Sequence, residues 1–306
     1  MSESPRFSLG ICASDSSDGL PSLVSTLAGE DYGGAFLMEK LIIVVSGCPA
    51  PIVSALEQKA RTDYRILVIT EGQRRGKAEA VNKIVENSAG EYVVLLNADA
   101  VPGRGAIRKL LGALAADARA GCISARPVFR ESVGLLHGAL SLMWSAHTTA
   151  SLKLNHANTS NHSSDELIAV RRSLFPRLPA KLVNDGAYIG GRVKSAGYSV
   201  RFCDDATVNI TVPTRFTDLL EQRRRIIFGH VQVWRKLGNP PLTIESLLFT
   251  DPAQGFRIVV SLLSRQPRLI FAIPFALVSE TISALLAMFD SAVSSSRHAV
   301  WKRHGN

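Results

Sequence analysis

Two side chains that could bind a metal ion follow one of the apolar runs of this sequence. Asn97 and Asp99 stand one residue apart, directly after the run Tyr92–Leu96. Such a run is typical of a buried strand, so both side chains would lie at a strand end. Oxygen atoms in that position can hold a divalent cation together with a diphosphate that the cation neutralises. An Asx turn leading to Pro102 would give the same pattern, and both interpretations stay open.

A second group of residues has the chemistry of a phosphate site. The segment Arg-Arg-Gly-Lys-Ala at 74–78 opens a helix directly after a strand. The amino terminus of a helix attracts phosphate, and a lysine there adds charge. The segment is not a P-loop, because Glu71 stands where the first glycine is needed and Ala78 replaces the Ser/Thr. The residues that we assign to this site are Arg75, Gly76, Lys77 and Asn82.

Asp185 is the third candidate, within the stretch Leu-Val-Asn-Asp-Gly-Ala-Tyr at 182–188. A carboxylate at a helix start can be a cap, and taken alone the pattern favours that interpretation. It could also be a general base that removes a proton from a hydroxyl group.

The fourth candidate is the pair Gln222 and Arg225 in Gln-Arg-Arg-Arg. On a helix these two lie about 60° apart and share a face. Three successive arginines are most often a solvated face or a membrane contact. Next to a diphosphate, they would instead supply bidentate contacts.

The elements that must position these residues alternate between strand and helix over residues 7–130. Strands that are apolar on both faces and separated by helices predict a mostly parallel sheet with helices on both faces. In such sheets, ligands bind at the carboxyl ends of the strands, where the candidate residues stand. The polar stretch 145–165 predicts a loop, either solvated or a lid over the site.

The carboxyl-terminal part of the chain is different. Leu269–Phe289 is an apolar run of 21 residues with Glu280 as its one charge, and arginines flank it. It is long enough to span a bilayer, and it could also lie in the membrane interface. We therefore expect a catalytic domain at 1–240 and a membrane-associated helical region at 241–306.

Composition sets broader limits. The chain has 306 residues and a net charge of +9, which suits phosphate-bearing ligands or anionic lipids. Its four cysteines form no C-x-x-C pair, which argues against a zinc site or a disulfide framework. No signal peptide or nucleic-acid-binding module is recognisable. We expect no nucleic-acid partner and place the catalytic domain in the cytoplasm, attached to a membrane.

In this order the four sites resemble glycosyltransferase family 2, over about residues 7–236. The segment GKAEAVNKIVENSAGEYVVLLNADAVP is similar to the family's stretch from a Gly-Lys-Ala helix to its metal-binding Asp-x-Asp. DELIAVRRSLF and NDGAYIG look like the segments that precede and hold the catalytic acid residue. QRRRIIFGH is similar to the Gln-x-x-Arg-Trp motif of the cellulose-synthase-like and ceramide-glucosyltransferase-like branch.

The resemblance implies a GT-A fold, a nucleoside-diphosphate sugar donor, Mg²⁺ or Mn²⁺, and an inverting hexosyltransferase-like reaction. By this analogy Asp99 binds the metal and Asp185 is the base. The acceptor would be a lipid or a glycan. The residues that would contact the donor are Arg75, Gly76, Lys77, Asn82, Asn97, Gln222 and Arg225.

Four departures from the family pattern leave alternatives open. Asn97 replaces the first aspartate, Ser46 and Gly47 stand where many members bind the donor base, and Ile226 replaces the tryptophan. If Tyr188 sets the alignment, the usual base position falls on a glycine. A catalytically weakened relative that still binds a nucleotide sugar or a membrane partner is the first alternative. A nucleotidyltransferase is less favoured, because the loop at 13–17 contains no arginine.

Overall fold

The computed structural model describes residues 4–14, 19–130 and 133–300. The loop at 13–17, on which the comparison with nucleotidyltransferases depends, falls mostly outside these ranges. Within them eight strands form one sheet in the order β3-β2-β1-β4-β7-β6-β8-β5. The strands are β1 (Arg6–Ser14), β2 (Leu37–Ser46), β3 (Ile66–Glu71), β4 (Tyr92–Asn97), β5 (Val101–Pro102), β6 (Ala120–Val128), β7 (Leu167–Arg171) and β8 (Ser199–Asn209).

The first half of the sheet is parallel, as the apolar runs predict. Strands β3, β2, β1 and β4 pair in parallel, so their carboxyl ends meet at one edge. Strand β7 then enters antiparallel between β4 and β6, and β6 pairs in parallel with β8. Because β7 runs the other way, its beginning lies at the edge where the parallel strands end.

Helices cover both faces of the sheet, which confirms the predicted α/β class. One apolar core joins the sheet to α1, α2 and α4, and the other joins it to α3 and α6. The helices are α1 (Leu20–Ala28), α2 (Ala50–Thr62), α3 (Lys77–Asn87), α4 (Ala106–Ala116), α5 (Leu135–His156), α6 (Asp185–Ser195), α7 (Phe216–Leu237), α8 (Ile244–Thr250), α9 (Pro252–Arg265) and α10 (Ile273–Val293).

The prediction of a loop over residues 145–165 is wrong for its first half. Residues 145–156 belong to the helix α5, which buries Ala146, Ala150 and Leu154 against α8 and α9. These side chains are spaced four residues apart, so they form a helical stripe. The polar residues between them hid that stripe. Only residues 157–166 are irregular.

Helix α10 packs lengthwise on α7 through a face of small and polar residues. Ala276, Ser279, Ser283, Ala287 and Asp290 are buried there. The rest of the helix is apolar and largely exposed. Pro267–Val293 has 27 residues and contains an 18-residue stretch with a mean hydropathy of 2.0, of which 22% is buried, so it is long and apolar enough to cross a membrane.

Candidate active site

A cavity of about 220 Å³ lies at the carboxyl edge of the parallel strands, and we call it the edge cavity. Residues that end β1, β2, β3 and β4 line it, together with the start of α3 and one face of α7. Its polar and charged lining residues are Cys12, Ser14, Ser46, Glu71, Arg74, Lys77, Asn97, Asp99, Asp165, Glu166, Thr211, Gln222, Arg225 and His298.

Lys77 begins α3 and binds two carboxylates instead of projecting freely into the cavity. Its Nζ lies 2.5 Å from Asp165 Oδ2 and 3.1 Å from Asp185 Oδ1. Burial alone would lower the pKa of Lys77, but the two carboxylates outweigh burial and raise it. Lys77 therefore stays protonated and fixes the two aspartates beside each other.

Asp185 is not the cap of helix α6, contrary to the interpretation that its position alone favours. Asn184 takes that place, and its side chain accepts a hydrogen bond of 3.0 Å from the Ala187 N–H. Asp185 is 1% exposed, and among the residues that the structure describes its carboxylate is held by the ion pair with Lys77 and not by a hydrogen bond of regular geometry. Burial and the neighbouring Asp165 raise the pKa of Asp185 to about 6, although Lys77 opposes the shift. A carboxylate with a pKa near neutrality is suited to general base catalysis.

Asp165 and Glu166 reach the same place because they immediately precede β7. The N–H of Asn97 donates to the Glu166 carbonyl over 3.1 Å, so the start of β7 lies beside the end of β4. A glycine at 186 permits this approach, since a Cβ there would lie 2.4 Å from the Ser163 carbonyl oxygen. Burial and Asp165 raise the pKa of Glu166 to about 7, against a hydrogen bond from Ser164.

Helix α7 turns Gln222 and Arg225 toward the cavity, while the other two arginines of the Gln-Arg-Arg-Arg run do not line it. Arg225 lies in the field of four carboxylates, Asp165, Asp185, Asp99 and Glu166, all of which favour its charged form. Burial is the larger influence and lowers its pKa. The predicted solvated face for the arginine run is wrong for Arg223 and Arg224, because each binds acidic residues of the carboxyl-terminal helices.

The predicted site residues thus divide into two groups. Asn82 and Arg75 do not line the edge cavity. Asn82 is buried and binds the backbone N–H and C=O of Leu178 through its amide, and Arg75 is exposed. Asp185 does not line the edge cavity either, but it contacts Lys77, which does. The predicted residues on the cavity wall are Gly76, Lys77, Asn97, Asp99, Gln222 and Arg225.

Several lining residues received no role in the sequence analysis, although some stand in the segments quoted there. Arg74, Trp144, Asp165 and Glu166 are among them. The segment 298–300 also lines the cavity and comes so close to α3 that a Cβ on Gly76 would lie 2.5 Å from the Ala299 carbonyl oxygen. Gly76 also has a φ of 95°, so both space and backbone conformation favour glycine there. No sequence pattern indicated that the carboxyl terminus would return to this edge.

Comparison with known proteins decides the family. The sequence profile of Glycosyl transferase family 2 matches residues 11–178, more than half of the chain. The chain belongs to this family. No curated protein sequence matches this glycosyltransferase significantly.

Solved structures share its GT-A fold. The mannosyltransferase PcManGT from Pyrobaculum calidifontis, in complex with GDP-Man and Mn²⁺, superposes with a TM-score of 0.63 at 19% identity. That match covers 94% of this chain and 87% of the other. Glucosyl-3-phosphoglycerate synthase from Mycobacterium tuberculosis, in complex with Mn²⁺ and UDP-Glc, gives a TM-score of 0.50 at 15% identity, over 77% and 80% of the chains.

The oxygen atoms at the edge cavity of this glycosyltransferase fit a metal ion that is held partly by the protein and partly by the phosphate groups of a bound nucleotide sugar. Over the described ranges, no three His, Cys, Asp or Glu side chains converge in a way that would hold a metal ion unaided. Asp99 and Asn97 both line the edge cavity and supply oxygen atoms. Mg²⁺ is typically bound through one or two carboxylates plus phosphate oxygens and water, which is the arrangement that this wall offers.

Proposed function

We propose that the chain transfers a sugar from a nucleoside-diphosphate sugar to an acceptor hydroxyl group, with inversion at the anomeric carbon. The observation that carries the proposal is the edge cavity itself. Asp99, Gln222 and Arg225 all line it, and so does Lys77, which forms an ion pair with the buried carboxylate of Asp185. This arrangement supports Asp99 as the metal ligand, Arg225 as the phosphate partner and Asp185 as the base.

The donor diphosphate would lie between strand β4 and helix α7. Asp99, with Asn97, would hold Mg²⁺ or Mn²⁺, which would neutralise charge on the diphosphate as it leaves. Arg225 would contact phosphate oxygens through its planar guanidinium group, with Gln222 beside it. The Gln-x-x-Arg spacing also supports our assignment to the cellulose-synthase-like and ceramide-glucosyltransferase-like branch.

The transfer is a single displacement. The acceptor oxygen forms a bond to the anomeric carbon as the bond from that carbon to the diphosphate breaks. Asp185 takes the acceptor's hydroxyl proton, and the nucleoside diphosphate leaves with the electron pair of the broken bond. Lys77 holds the Asp185 carboxylate in place from 3.1 Å.

Donor binding can be tested with a panel of nucleotide sugars, measured by thermal shift with and without Mn²⁺. A ligand that binds the native state must raise the melting temperature. We expect a metal-dependent rise that Asp99→Ala abolishes and that Asp205→Ala, an exposed aspartate outside the cavity, keeps. Unchanged Mn²⁺ dependence in Asp99→Ala would remove Asp99 from the metal site. Binding without any turnover would support the catalytically weakened relative instead.

We also propose that the carboxyl-terminal helices attach the enzyme to a membrane surface, with the catalytic domain in the cytoplasm. Large apolar side chains on α8–α10 and the turn before α10 face outward, among them Phe249 (87% exposed) and Phe271 (81% exposed). Arg257, Arg265 and Arg268 stand among them and would attract anionic head groups. A membrane setting suits a lipid or glycan acceptor.

A further inference from the structure

A second cavity of about 100 Å³ adjoins the edge cavity, between helices α5, α7 and α8. We call it the histidine cavity, because His147, His162 and His230 line it. Five residues line both cavities and so form their common wall: Trp144, Asp165, Glu166, Gln222 and Ile226.

The three histidines form a connected set of rings. The His147 and His162 ring centroids lie 6.0 Å apart and those of His162 and His230 lie 5.2 Å apart, both edge to face. Trp144 continues the set, 5.7 Å from His147. The Nε2 atoms of His147 and His230 are shielded from solvent and have no hydrogen-bond partner in the part of the chain that the structure describes. Buried polar atoms without partners are rare in folded proteins, and a bound ligand is one explanation for them.

Burial keeps these rings neutral. It lowers the pKa of His147 and of His230 to about 4. It lowers the pKa of His162 as well, and the other two histidines add to that shift. A neutral imidazole has one N–H donor and one acceptor nitrogen, which is the combination that a hydroxyl group can match in either direction.

The charges around the histidine cavity disfavour an anionic ligand. Arg223 donates to Glu245 over 2.7 Å and also binds Glu280, so two carboxylates neutralise it. Asp165 and Glu166 also line it, at the common wall. A phosphate or carboxylate group would face these acidic side chains, whereas a neutral hydroxyl group can donate a hydrogen bond to any of them.

We propose that the histidine cavity is the acceptor subsite, and that it takes a neutral, hydroxyl-rich group such as a pyranose ring. His147 and His230 hydrogen-bond its hydroxyl groups, and Trp144 contacts the apolar C–H face of the ring. A hydroxyl group of the same ring reaches across the common wall toward the donor sugar. The inference rests on the proposed function and adds the class of acceptor to it.

Direct binding tests the subsite without any donor. The ring resonances of the seven histidines, assigned through single variants, are followed by NMR while methyl glycosides of common hexoses are added, with inorganic phosphate as the anionic probe. We expect one or more glycosides to shift the signals of His147 and His230 and to leave that of exposed His156 unchanged. No shift from any glycoside, or a response to phosphate alone, would overturn the proposal.

Kinetics separates this inference from the proposed function. With a donor from the nucleotide-sugar panel, His147→Ala and His230→Ala should raise the KM for the glycoside about tenfold, the cost of one lost hydrogen bond. Donor hydrolysis without the glycoside should stay unchanged, and His156→Ala should match the wild type. His147→Gln keeps a polar side chain and is the control for misfolding, since its KM for the glycoside should lie closer to that of the wild type than the KM of His147→Ala does. An unchanged KM in both alanine variants overturns the subsite, whereas failure of every donor to bind the wild type overturns the proposed function alone.

Discussion

At the scale of single residues, Asn184 caps helix α6, so the side chain of Asp185 is available for catalysis. The Asn184 side chain accepts a hydrogen bond from the Ala187 N–H, so the carboxylate of Asp185 is not used for that purpose. Asp185→Asn preserves shape and removes the base. We expect it to keep donor affinity and to lower kcat by a factor of about 10²–10⁴, because a base acts in the chemical step. Donor titration and single-turnover transfer measure the two effects, and wild-type turnover would reduce Asp185 to a structural residue.

The pH profile distinguishes Asp185 from Glu166. A base must be deprotonated, so the transfer rate should fall as the pH drops below the pKa of about 6 that burial and Asp165 give to Asp185. Glu166, with a pKa raised by burial to about 7, would place that fall one unit higher. We expect Glu166→Gln to keep the fall near pH 6. If that variant abolishes the pH dependence, Glu166 is the base.

The sequence analysis assigned roles to residues that follow parallel strands, and gave none to Asp165 and Glu166, which precede the antiparallel strand and open the quoted segment DELIAVRRSLF. Asn97 and Asp99 could be predicted, because ligands bind where parallel strands end. Asp165 lies in the same site, yet 88 positions from its partner Lys77. It arrives there because β7 runs antiparallel beside β4, a pairing that no local pattern specifies. The capping role of Asn184 could have been read from the sequence, since asparagine is as good a cap as aspartate.

At the scale of elements, the three successive arginines of α7, at 223–225, make different contacts. Arg225 faces the edge cavity, whereas Arg224 binds Asp290 of α10 with donor–acceptor distances of 2.5 and 2.6 Å. Arg225→Lys keeps the charge and loses the planar fork, so we expect transfer to fall about tenfold or more. Arg192→Lys, at an exposed position of α6, is the matched control, because Arg224→Lys would disturb the packing of α10. Equal losses in both variants would indicate a general charge effect.

The pairing of α7 with α10 centres on one buried carboxylate. Asp290 is fully buried and binds Arg224, Arg297 at 2.8 Å and His298 at 2.7 Å. Removing one partner of a buried pair leaves uncompensated charge. We expect Asp290→Asn to lower the free energy of unfolding by about 3 kcal/mol. Urea unfolding measures the loss, and Glu57→Gln, exposed on α2, should stay within about 0.5 kcal/mol of the wild type.

The same elements show where sequence patterns reach their limit. The 21-residue apolar run was recognised as a helical segment, and the structure places α10 there. Its small, polar face could not be assigned a partner, because the ion pair between Arg223 and Glu280 joins residues 57 positions apart. Helix α5 was not predicted, because its apolar stripe is weak. That stripe packs mainly on elements that come later in the chain.

At the scale of the whole molecule, the position of α10 favours lying in the membrane interface over spanning the bilayer. Its polar face is fixed to α7 through Asp290 and Glu280, and a span would expose both ion pairs to lipid. The opposite face is apolar and exposed, including Leu285, Met288 and Phe289. In the membrane attachment that we propose, this exposed face, with arginines nearby, would contact the boundary between head groups and acyl chains.

Vesicle binding of the full chain tests this orientation. Truncation before α10 would remove Asp290 from Arg224 and would leave Arg223 with only one of its two carboxylate partners, Glu245, so point variants are the sharper probe. We expect the wild type to sediment with vesicles of phosphatidylcholine and phosphatidylglycerol, and less so at high salt, because the arginines contribute attraction that salt screens. Phe249→Asp combined with Phe271→Asp should weaken binding at least tenfold, since each buried phenyl ring contributes about 2 kcal/mol. Tyr64 is an aromatic residue that is 95% exposed and lies far in sequence from α8–α10. Tyr64→Asp should therefore bind the vesicles as the wild type does. A wild-type chain that stays in the supernatant beside the vesicles, monodisperse without detergent, would show that this apolar surface serves another purpose.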